Sequence, residues 1–230
     1  DLKDKGVTVE FWLKKDAFDP TKTKKEVLFD LWNQKEHNNP FYGRLTLEMT
    51  GGANSDDGSC FRFTLQSGSK GVYDAIIGQG TSTTTASVGD NTWDHYAFTF
   101  NSSSARGVEG SDPQALGSDS GSIEAKLYVN GKLNHHIFTG SSVANVTGAL
   151  MANIGALQYA PSATNDAYHD YGSLMQGYGK LHSASLDEFR YWKVRRSSRD
   201  VRRFYNSQVG GGTNTDGSNV NLGVYFKFNE

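Results

Sequence analysis

Short segments of alternating apolar and polar residues, separated by clusters of Gly, Ser, Asn and Asp, constrain this chain most strongly. The segments are rich in Val, Thr, Phe, Tyr and Trp, which is typical of strands joined by turns. With 26 glycines and 4 prolines in 230 residues, the chain is rich in turns without resembling a linker. The sequence therefore predicts an all-β protein. The clearest segments are Val7–Leu13, Glu26–Trp32, Arg44–Met49, Cys60–Gln66, Val72–Ile77, Thr92–Phe100, Ile123–Val129, Lys132–Phe138, Ala152–Ala156, Ala184–Trp192 and Leu222–Phe228.

Two of these segments carry more detailed predictions. In Thr92–Phe100 the large aromatic side chains fall on one face, which is the better candidate for the core: Tyr96, Phe98 and Phe100. The dipeptide Asn130-Gly131 separates two other segments and predicts a hairpin, because a type I′ turn needs positive φ at both central residues.

One short helix is predicted over Ser198–Asn206, with Ser197 or Ser198 as its cap and apolar residues at helical spacing. Six cations surround its start against a single Asp200: Lys193, Arg195, Arg196, Arg199, Arg202 and Arg203. A basic patch of this kind binds polyanions in some proteins. Because the net charge of the whole chain is −2, we interpret the run as a solvated helix face. Nucleic-acid binding is not expected, and docking of an acidic neighbouring module is a further alternative.

The organisation predicted is one domain over residues 1–209, followed at 210–230 by a Gly/Asn-rich junction and a final strand. That strand either completes the same domain or starts a next module. The chain does not begin with Met, which predicts that it is a piece of a longer protein. No run approaches the roughly 18 apolar residues that a membrane helix needs, so no membrane insertion is expected.

Five segments, in this order, carry a resemblance to a known superfamily: Val7–Leu13, Trp93–Phe98, Lys126–Lys132, Asn153–Gly155 and Leu186–Trp192. Together they resemble the laminin-G-like or concanavalin A-like jelly-roll proteins. The resemblance implies a two-sheet antiparallel β-sandwich with one short C-terminal helix. This fold hosts carbohydrate-binding modules, adhesion domains, pentraxin-like proteins and glucanases, so it leaves the function open.

The closing string, Gly211–Gly217 followed by Leu222–Glu230, resembles junctions between tandem modules of phage virion structural proteins. It implies a location on a virion surface or outside the cell. The partner would then be a cell-surface glycan or a neighbouring module, and association into a homo-oligomer would accompany assembly.

The chain lacks two sequence patterns of catalytic residues. The active strand of glucanases with this fold resembles Glu-x-Asp-x-x-Glu, and this pattern is absent from the chain. The Gly-x-Ser-x-Gly elbow of nucleophilic serine enzymes is absent too. Glu10 and Glu48 are expected to be solvated, and Cys60 to be a buried, inert thiol. His135 and His136 are adjacent on a predicted strand, so they point to opposite faces and cannot share one metal ion.

Asp187 is the one candidate metal ligand. It shares strand parity with Phe189 and Tyr191, so it would enter the edge of the sandwich as a charge that needs compensation. Calcium would supply that compensation, and the resemblance implies a structural calcium at this position. The alternative is a carboxylate held by backbone N–H groups or by an arginine.

An aromatic and polar loop is the predicted ligand-binding site: Tyr159, Tyr168, His169, Asp170, Tyr171 and Tyr178. Sugars stack their C–H faces on aromatic rings, while Asp, Asn and His bind their hydroxyl groups. The alternative is that these rings anchor the loop to its own scaffold. The predicted function is a non-catalytic adhesion, glycan-recognition or assembly module of a larger surface or virion protein. An atypical glycan-processing enzyme on the same fold is the alternative.

Overall fold

Two sheets and three short helical segments make up the part of the chain that the computed structural model describes, residues 6–19, 25–36, 39–51, 58–103, 122–141, 143–144, 146–158, 179–210 and 220–228. Each of the eleven predicted segments overlaps one strand. The strands are β1 (Val7–Lys15), β2 (Lys25–Trp32), β3 (Gly43–Thr50), β4 (Phe61–Ser67), β5 (Lys70–Ile76), β6 (Trp93–Ser103), β7 (Ser122–Val129), β8 (Lys132–Thr139), β9 (Met151–Ile154), β10 (Ala184–Trp192) and β11 (Leu222–Phe226). The helical segments are a 3-10 turn at Thr81–Thr83, helix α1 (Thr85–Val88) and helix α2 (Ser198–Phe204).

Six strands form one sheet in the order β11-β10-β1-β6-β7-β8, and five form the other in the order β5-β4-β3-β2-β9. The predicted fold class, a two-sheet antiparallel β-sandwich with one short C-terminal helix, is confirmed. The chain divides into two units, one for each sheet. The first consists of Asp1–Lys14, Trp93–Ser142 and Ser185–Glu230, and the second of Lys15–Thr92 and Val143–Ala184. In the described residues, no helix is long and apolar enough to cross a membrane.

Aromatic side chains form the core of the first unit. The ring of Phe11 lies 6.0 Å from Phe98, 6.1 Å from Phe189 and 6.4 Å from Tyr96, measured between centroids. Tyr96, Phe98 and Phe100 are all buried, as predicted for one face of β6. Strand alternation places these side chains on one face of the sheet, and their burial is the main favourable contribution to its stability.

The apolar face of the second unit follows the same alternation. Leu45, Leu47 and Met49 on β3 pair in register with buried residues of β4, and all are excluded from solvent. Cys60, immediately before β4, is also buried, and burial raises the pKa of its thiol. The prediction that Cys60 is an inert thiol agrees with both observations.

Two local predictions about turns and caps are confirmed. Asn130 and Gly131 have φ of 48° and 73°, as a type I′ turn between β7 and β8 requires. The Asn130 side chain also accepts the backbone N–H of His95 at 2.9 Å and donates to Asp94 at 2.6 Å. Ser197 caps α2 by accepting the backbone N–H of Asp200. The helix ends at Phe204, two residues before the predicted end.

The expectation that Glu10 and Glu48 are solvated is wrong. Both are buried, and each lies on the polar face of its sheet with cationic neighbours. Such burial is costly unless each charge is paired. The polar faces of the two sheets are therefore built around ion pairs, and one of them borders the candidate site.

Candidate ligand-binding pocket

The loop predicted to bind ligand lies outside the described residues. This applies to all six of its candidate residues: Tyr159, Tyr168, His169, Asp170, Tyr171 and Tyr178. That assignment stays a prediction. The described residues show a second candidate, on the polar face of the six-stranded sheet beside α2.

Glu10 is the centre of this face. Its Oε1 accepts hydrogen bonds from three donors on β10 and the segment that follows: Arg190 Nη1 at 3.3 Å, Trp192 Nε1 at 2.9 Å and Arg196 Nη1 at 2.9 Å. Because two of these donors are cationic, the buried negative charge is compensated. Glu10 therefore joins β1 to β10 and to the segment that precedes α2.

Arg190 continues the network towards the chain after α2. Its Nη2 donates to Glu188 Oε2 at 2.7 Å and to the Ser207 carbonyl at 2.6 Å, and its side chain is almost fully buried. Tyr225 on β11 donates to the same Glu188 oxygen at 2.5 Å. Burial, together with this bond to Glu188, raises the pKa of Tyr225 to about 12. Arg190 thus connects three segments of the first unit: β1, β10 and the residues after α2.

Arg196 is fixed on several sides. Its guanidinium carbon lies 4.3 Å from the centroid of the Trp192 ring, and its backbone N–H donates to Thr8 Oγ1 at 2.9 Å. Among the described residues, Nη1 is the one guanidinium nitrogen of Arg196 with a hydrogen-bond partner, which is Glu10. Its Nε and Nη2 donors are thus available, although the side chain is only 10% exposed.

A cavity of about 370 Å³ opens beside these residues. We call it the arginine pocket, and the residues that line it include Arg190, Trp192, Arg196, Asp200, Phe204, Gln208 and Asn221. Phe204 is 40% exposed and offers an apolar surface. The side-chain amides of Gln208 and Asn221 have no hydrogen-bond partner in the described structure. Such a combination of apolar surface and a few polar groups is typical of small-molecule sites, and the volume lies at the lower end of their usual range.

Beneath α2, the network ends in an aromatic cluster. His95 packs against Trp12 and Tyr205, with ring centroids 5.6 Å away in each case. Burial, reinforced by the charges of Arg190 and Arg196, lowers the pKa of His95 to about 4 despite the opposing effect of Glu10. His95 is therefore neutral at physiological pH. Tyr205 lies directly over Gly131, where any Cβ would be 2.5 Å from its ring.

The basic run divides into two groups, which the sequence interpretation did not separate. Arg195 and Arg196 point to acidic partners, Glu124 and Glu10 respectively. The others are exposed, as predicted for a solvated helix face: Lys193, Arg199, Arg202 and Arg203. The part of the run that contributes to the pocket is thus the part that precedes the helix.

Asp187 shows one of the two arrangements considered for it. Its Oδ1 accepts the backbone N–H of Glu188 at 2.8 Å, in the type of contact expected of a carboxylate held by backbone. Glu188 has a φ of 50°, which interrupts the regular strand alternation used to place Asp187. Across the described segments, no group of three or more His, Cys, Asp or Glu is placed to hold a metal. Asp187 thus supplies one carboxylate, and calcium there stays a prediction.

Carboxylates on the strands of the five-stranded sheet are candidates for a general acid and base. Asp30, Glu48 and Asp74 do lie on its strands, but each is paired with a cation. Asp30 receives two bonds from Arg44, and Lys25 reaches Glu48 at 3.6 Å and Asp74 at 2.8 Å. Burial would lower the pKa of Lys25, but these two carboxylates outweigh it and raise that pKa. The arrangement favours structural ion pairs over a general acid and base.

Sequence reasoning missed the arginine pocket because its contacts are remote in sequence. Glu10 and Arg196 are 186 residues apart. One signal was present in the predicted strand β10, where Glu188, Arg190 and Trp192 share a parity opposite to the apolar Phe189. Three large polar or amphipathic residues on one face, next to a helix, indicate a covered polar face.

No protein-family model matches the chain, and no curated protein matches it. Among solved structures, it is similar to the receptor-binding domain of botulinum neurotoxin D, with 13% identity, 89% of this chain and 38% of that chain covered, and a TM-score of 0.46. It is similar to domains LG4-5 of mouse laminin α1, with 13% identity, coverages of 86% and 38%, and a TM-score of 0.43. It is also similar to the binding domain of Paraclostridial Mosquitocidal Protein 1, with 12% identity, coverages of 89% and 37%, and a TM-score of 0.46. The chain thus spans less than two fifths of each structure. Both parts of the predicted resemblance, to laminin-G-like proteins and to virion proteins, stay predictions.

Proposed function

We propose that the chain is a non-catalytic recognition module that binds a glycan, as part of a larger protein on a virion or another extracellular surface. The observation that carries this proposal is the arginine pocket. It combines an exposed ring, Phe204, with donors on Arg196 and amide groups on Gln208 and Asn221 that have no hydrogen-bond partner among the described residues. Sugars need both a ring for their C–H face and groups that bind hydroxyls.

Hydrogen bonds hold the side chains and the helix that border the pocket in place. Arg190 and Arg196 are held by Glu10, and α2 is held to the sheet by Tyr128, whose hydroxyl lies 2.8 Å from Ser198 Oγ. Sites whose side chains are already fixed lose little freedom when a ligand binds. A single small pocket still gives weak affinity, and several copies of the module would compensate through multivalency.

The test is a glycan array probed with the whole chain displayed in many copies. We expect Gln208→Ala/Asn221→Ala to reduce binding strongly, because both amides border the pocket, while Asn206→Ala serves as an exposed control beside it. Tyr168→Ala/Tyr171→Ala tests the predicted loop in the same experiment. Loss in the loop variant alone would move the site there. Binding of no glycan by wild type would contradict the proposal, and release of sugar would contradict its non-catalytic part.

Assembly is the second candidate, and the edge strand β11 favours it. Phe226 and Phe228 stack with centroids 5.7 Å apart, and about half of each side chain is exposed. Exposed apolar side chains on a sheet edge are a known route to association between chains. Sedimentation of wild type and Phe226→Ser/Phe228→Ser at rising concentration tests this, and assembly predicts that only wild type associates.

A further inference from the structure

The free donors of Arg196 form one particular edge of its guanidinium. Nη1 is occupied by Glu10, so the unused pair is Nε with Nη2. These two N–H groups point in the same direction and match the two oxygens of a carboxylate. The Arg196 side chain lines the cavity and is only 10% exposed, yet its Nε and Nη2 have no hydrogen-bond partner among the described residues. These two donors can therefore bind a ligand in the cavity.

The chain shows elsewhere what this edge binds. Arg44 holds Asp30 through the same two atoms, with Nε to Oδ1 at 2.7 Å and Nη2 to Oδ2 at 3.0 Å. Arg44 also lies over a tryptophan, Trp32, at 5.4 Å, as Arg196 lies over Trp192. Each arginine thus contacts a tryptophan and a carboxylate, but Arg196 holds Glu10 through Nη1 and leaves its Nε and Nη2 edge without a carboxylate.

We propose that an acidic sugar fills the arginine pocket and places its carboxylate on the Nε and Nη2 edge of Arg196. This rests on the proposed glycan-binding function and names the class of glycan. The sugar ring packs on Phe204, and its hydroxyl groups bind Gln208 and Asn221.

Charge supports an anionic ligand over a neutral one. Within the cluster, Arg190 and Arg196 balance Glu10 and Glu188. Asp200 also lines the cavity, but its carboxylate is bonded to Ser197, and the exposed Lys193, Arg199, Arg202 and Arg203 add positive charge on and beside α2. An anion is therefore attracted to this end of the unit.

The experiment titrates the whole chain with three sugars: glucuronate, its neutral amide glucuronamide, and glucose. Binding is followed by the Trp192 indole N–H signal in proton–nitrogen correlation NMR spectra. The signal is assigned by its disappearance in the Trp192→Phe variant. We expect a dissociation constant for glucuronate of about 1 mM and about tenfold weaker binding of the amide. Arg196→Lys should bind glucuronate about tenfold more weakly because lysine has no planar edge, whereas Arg199→Lys should match wild type.

Several outcomes separate this inference from the proposed function. Equal binding of glucuronate and glucuronamide would overturn the acidic sugar, while array binding that Gln208→Ala/Asn221→Ala abolishes would keep glycan recognition. If none of the three sugars and no glycan on the array binds, both the acidic sugar and the proposed glycan recognition are overturned. If a glutamate-containing dipeptide binds as tightly as glucuronate, the site belongs to acidic peptides and the sugar is overturned. Should Arg196→Lys fail to fold, the comparison of glucuronate with its amide on wild type decides the matter.

Discussion

The polar faces of the two sheets both hold an arginine beside a buried carboxylate and a tryptophan, and they differ in which donors each arginine uses. On the five-stranded sheet, Arg44 gives Asp30 its Nε and Nη2 donors. On the six-stranded sheet, Arg196 gives Glu10 only Nη1. An arginine and a carboxylate beside a tryptophan therefore form a closed ion pair in one unit and an open ion pair in the other. Burial of an ion pair alone does not distinguish a structural role from a binding role.

Neighbouring residues explain the difference. Asp30 accepts a further bond from Thr46 at 3.1 Å and is completely buried, so the pair is enclosed. Glu10 is equally buried, but it divides one oxygen among Arg190, Trp192 and Arg196. Its other oxygen, Oε2, has no hydrogen-bond partner in the part of the chain that the structure describes, and it lies 4.0 Å from His95 Nε2. The polar face of the six-stranded sheet thus keeps a buried carboxylate oxygen that lacks a hydrogen-bond partner among the described residues.

The largest effect is expected at the closed pair. Asp30→Ala would leave the buried Arg44 charge without its carboxylate, and we expect a loss of about 3–5 kcal/mol in the free energy of unfolding. Urea denaturation measures it. The double variant Asp30→Leu/Arg44→Leu is the matched control and should regain most of the loss. A cost below about 1 kcal/mol for the single change would mean that Arg44 reaches solvent and that the pair is not closed.

A smaller effect, dependent on pH, is expected at the open network. The folded-state pKa of His95, about 4, lies below its ordinary value of 6.5, so the unfolded chain binds more protons as the pH falls. Its contribution to stability is complete above pH 6.5 and is lost progressively towards pH 4. Between pH 7 and pH 5 this amounts to about 2 kcal/mol.

The measurement compares wild type with His95→Gln by urea denaturation at both pH values. Other groups that titrate in this range are shared by the two proteins, so the difference between their pH slopes isolates His95. Wild type should lose more stability on acidification than the variant. Equal slopes would show that His95 is not held neutral, and the polar face of the six-stranded sheet would then be more open to water than described.

The smallest effect concerns Asp187, the candidate calcium ligand on β10 of the six-stranded sheet. If calcium binds there at ten times its dissociation constant, it stabilises the folded chain by about 1.4 kcal/mol. EDTA should then lower the melting temperature of wild type by a few degrees and leave Asp187→Ala unchanged. An unaltered wild-type melt, with no metal found by elemental analysis, would remove calcium and leave the contact with the Glu188 N–H as the role of Asp187.

Sequence predicted what depends on neighbours along the chain. The alternation in β6 identified Tyr96, Phe98 and Phe100 as core, and Asn130-Gly131 identified the hairpin, because both signals act over a few residues. The cap at Ser197 is equally local. What was missed involves partners far along the chain: Glu10 was expected to be solvated because Arg190, 180 residues away, is invisible to local pattern.

The strand-parity argument for Asp187 stays a prediction, because the backbone beside it departs from regular geometry. The parity argument for Asp187 assumed an uninterrupted strand, but Glu188 adopts a φ of 50°. Parity did hold beyond that residue, since Glu188 and Arg190 bond to each other while Phe189 is in the core. A single residue in the left-handed region therefore limits how far such an argument extends.

Cys60 gives the molecule a built-in reporter of transient opening. It is the chain's only thiol, it is buried in the second unit, and its backbone is bonded to Thr50 and Thr83. Because a thiol reagent reacts with the exposed thiolate, labelling requires the five-stranded sheet to open first. The rate of labelling of the unmodified protein therefore measures how often this sheet opens, without any engineered probe, whereas the first unit contains no cysteine and stays silent.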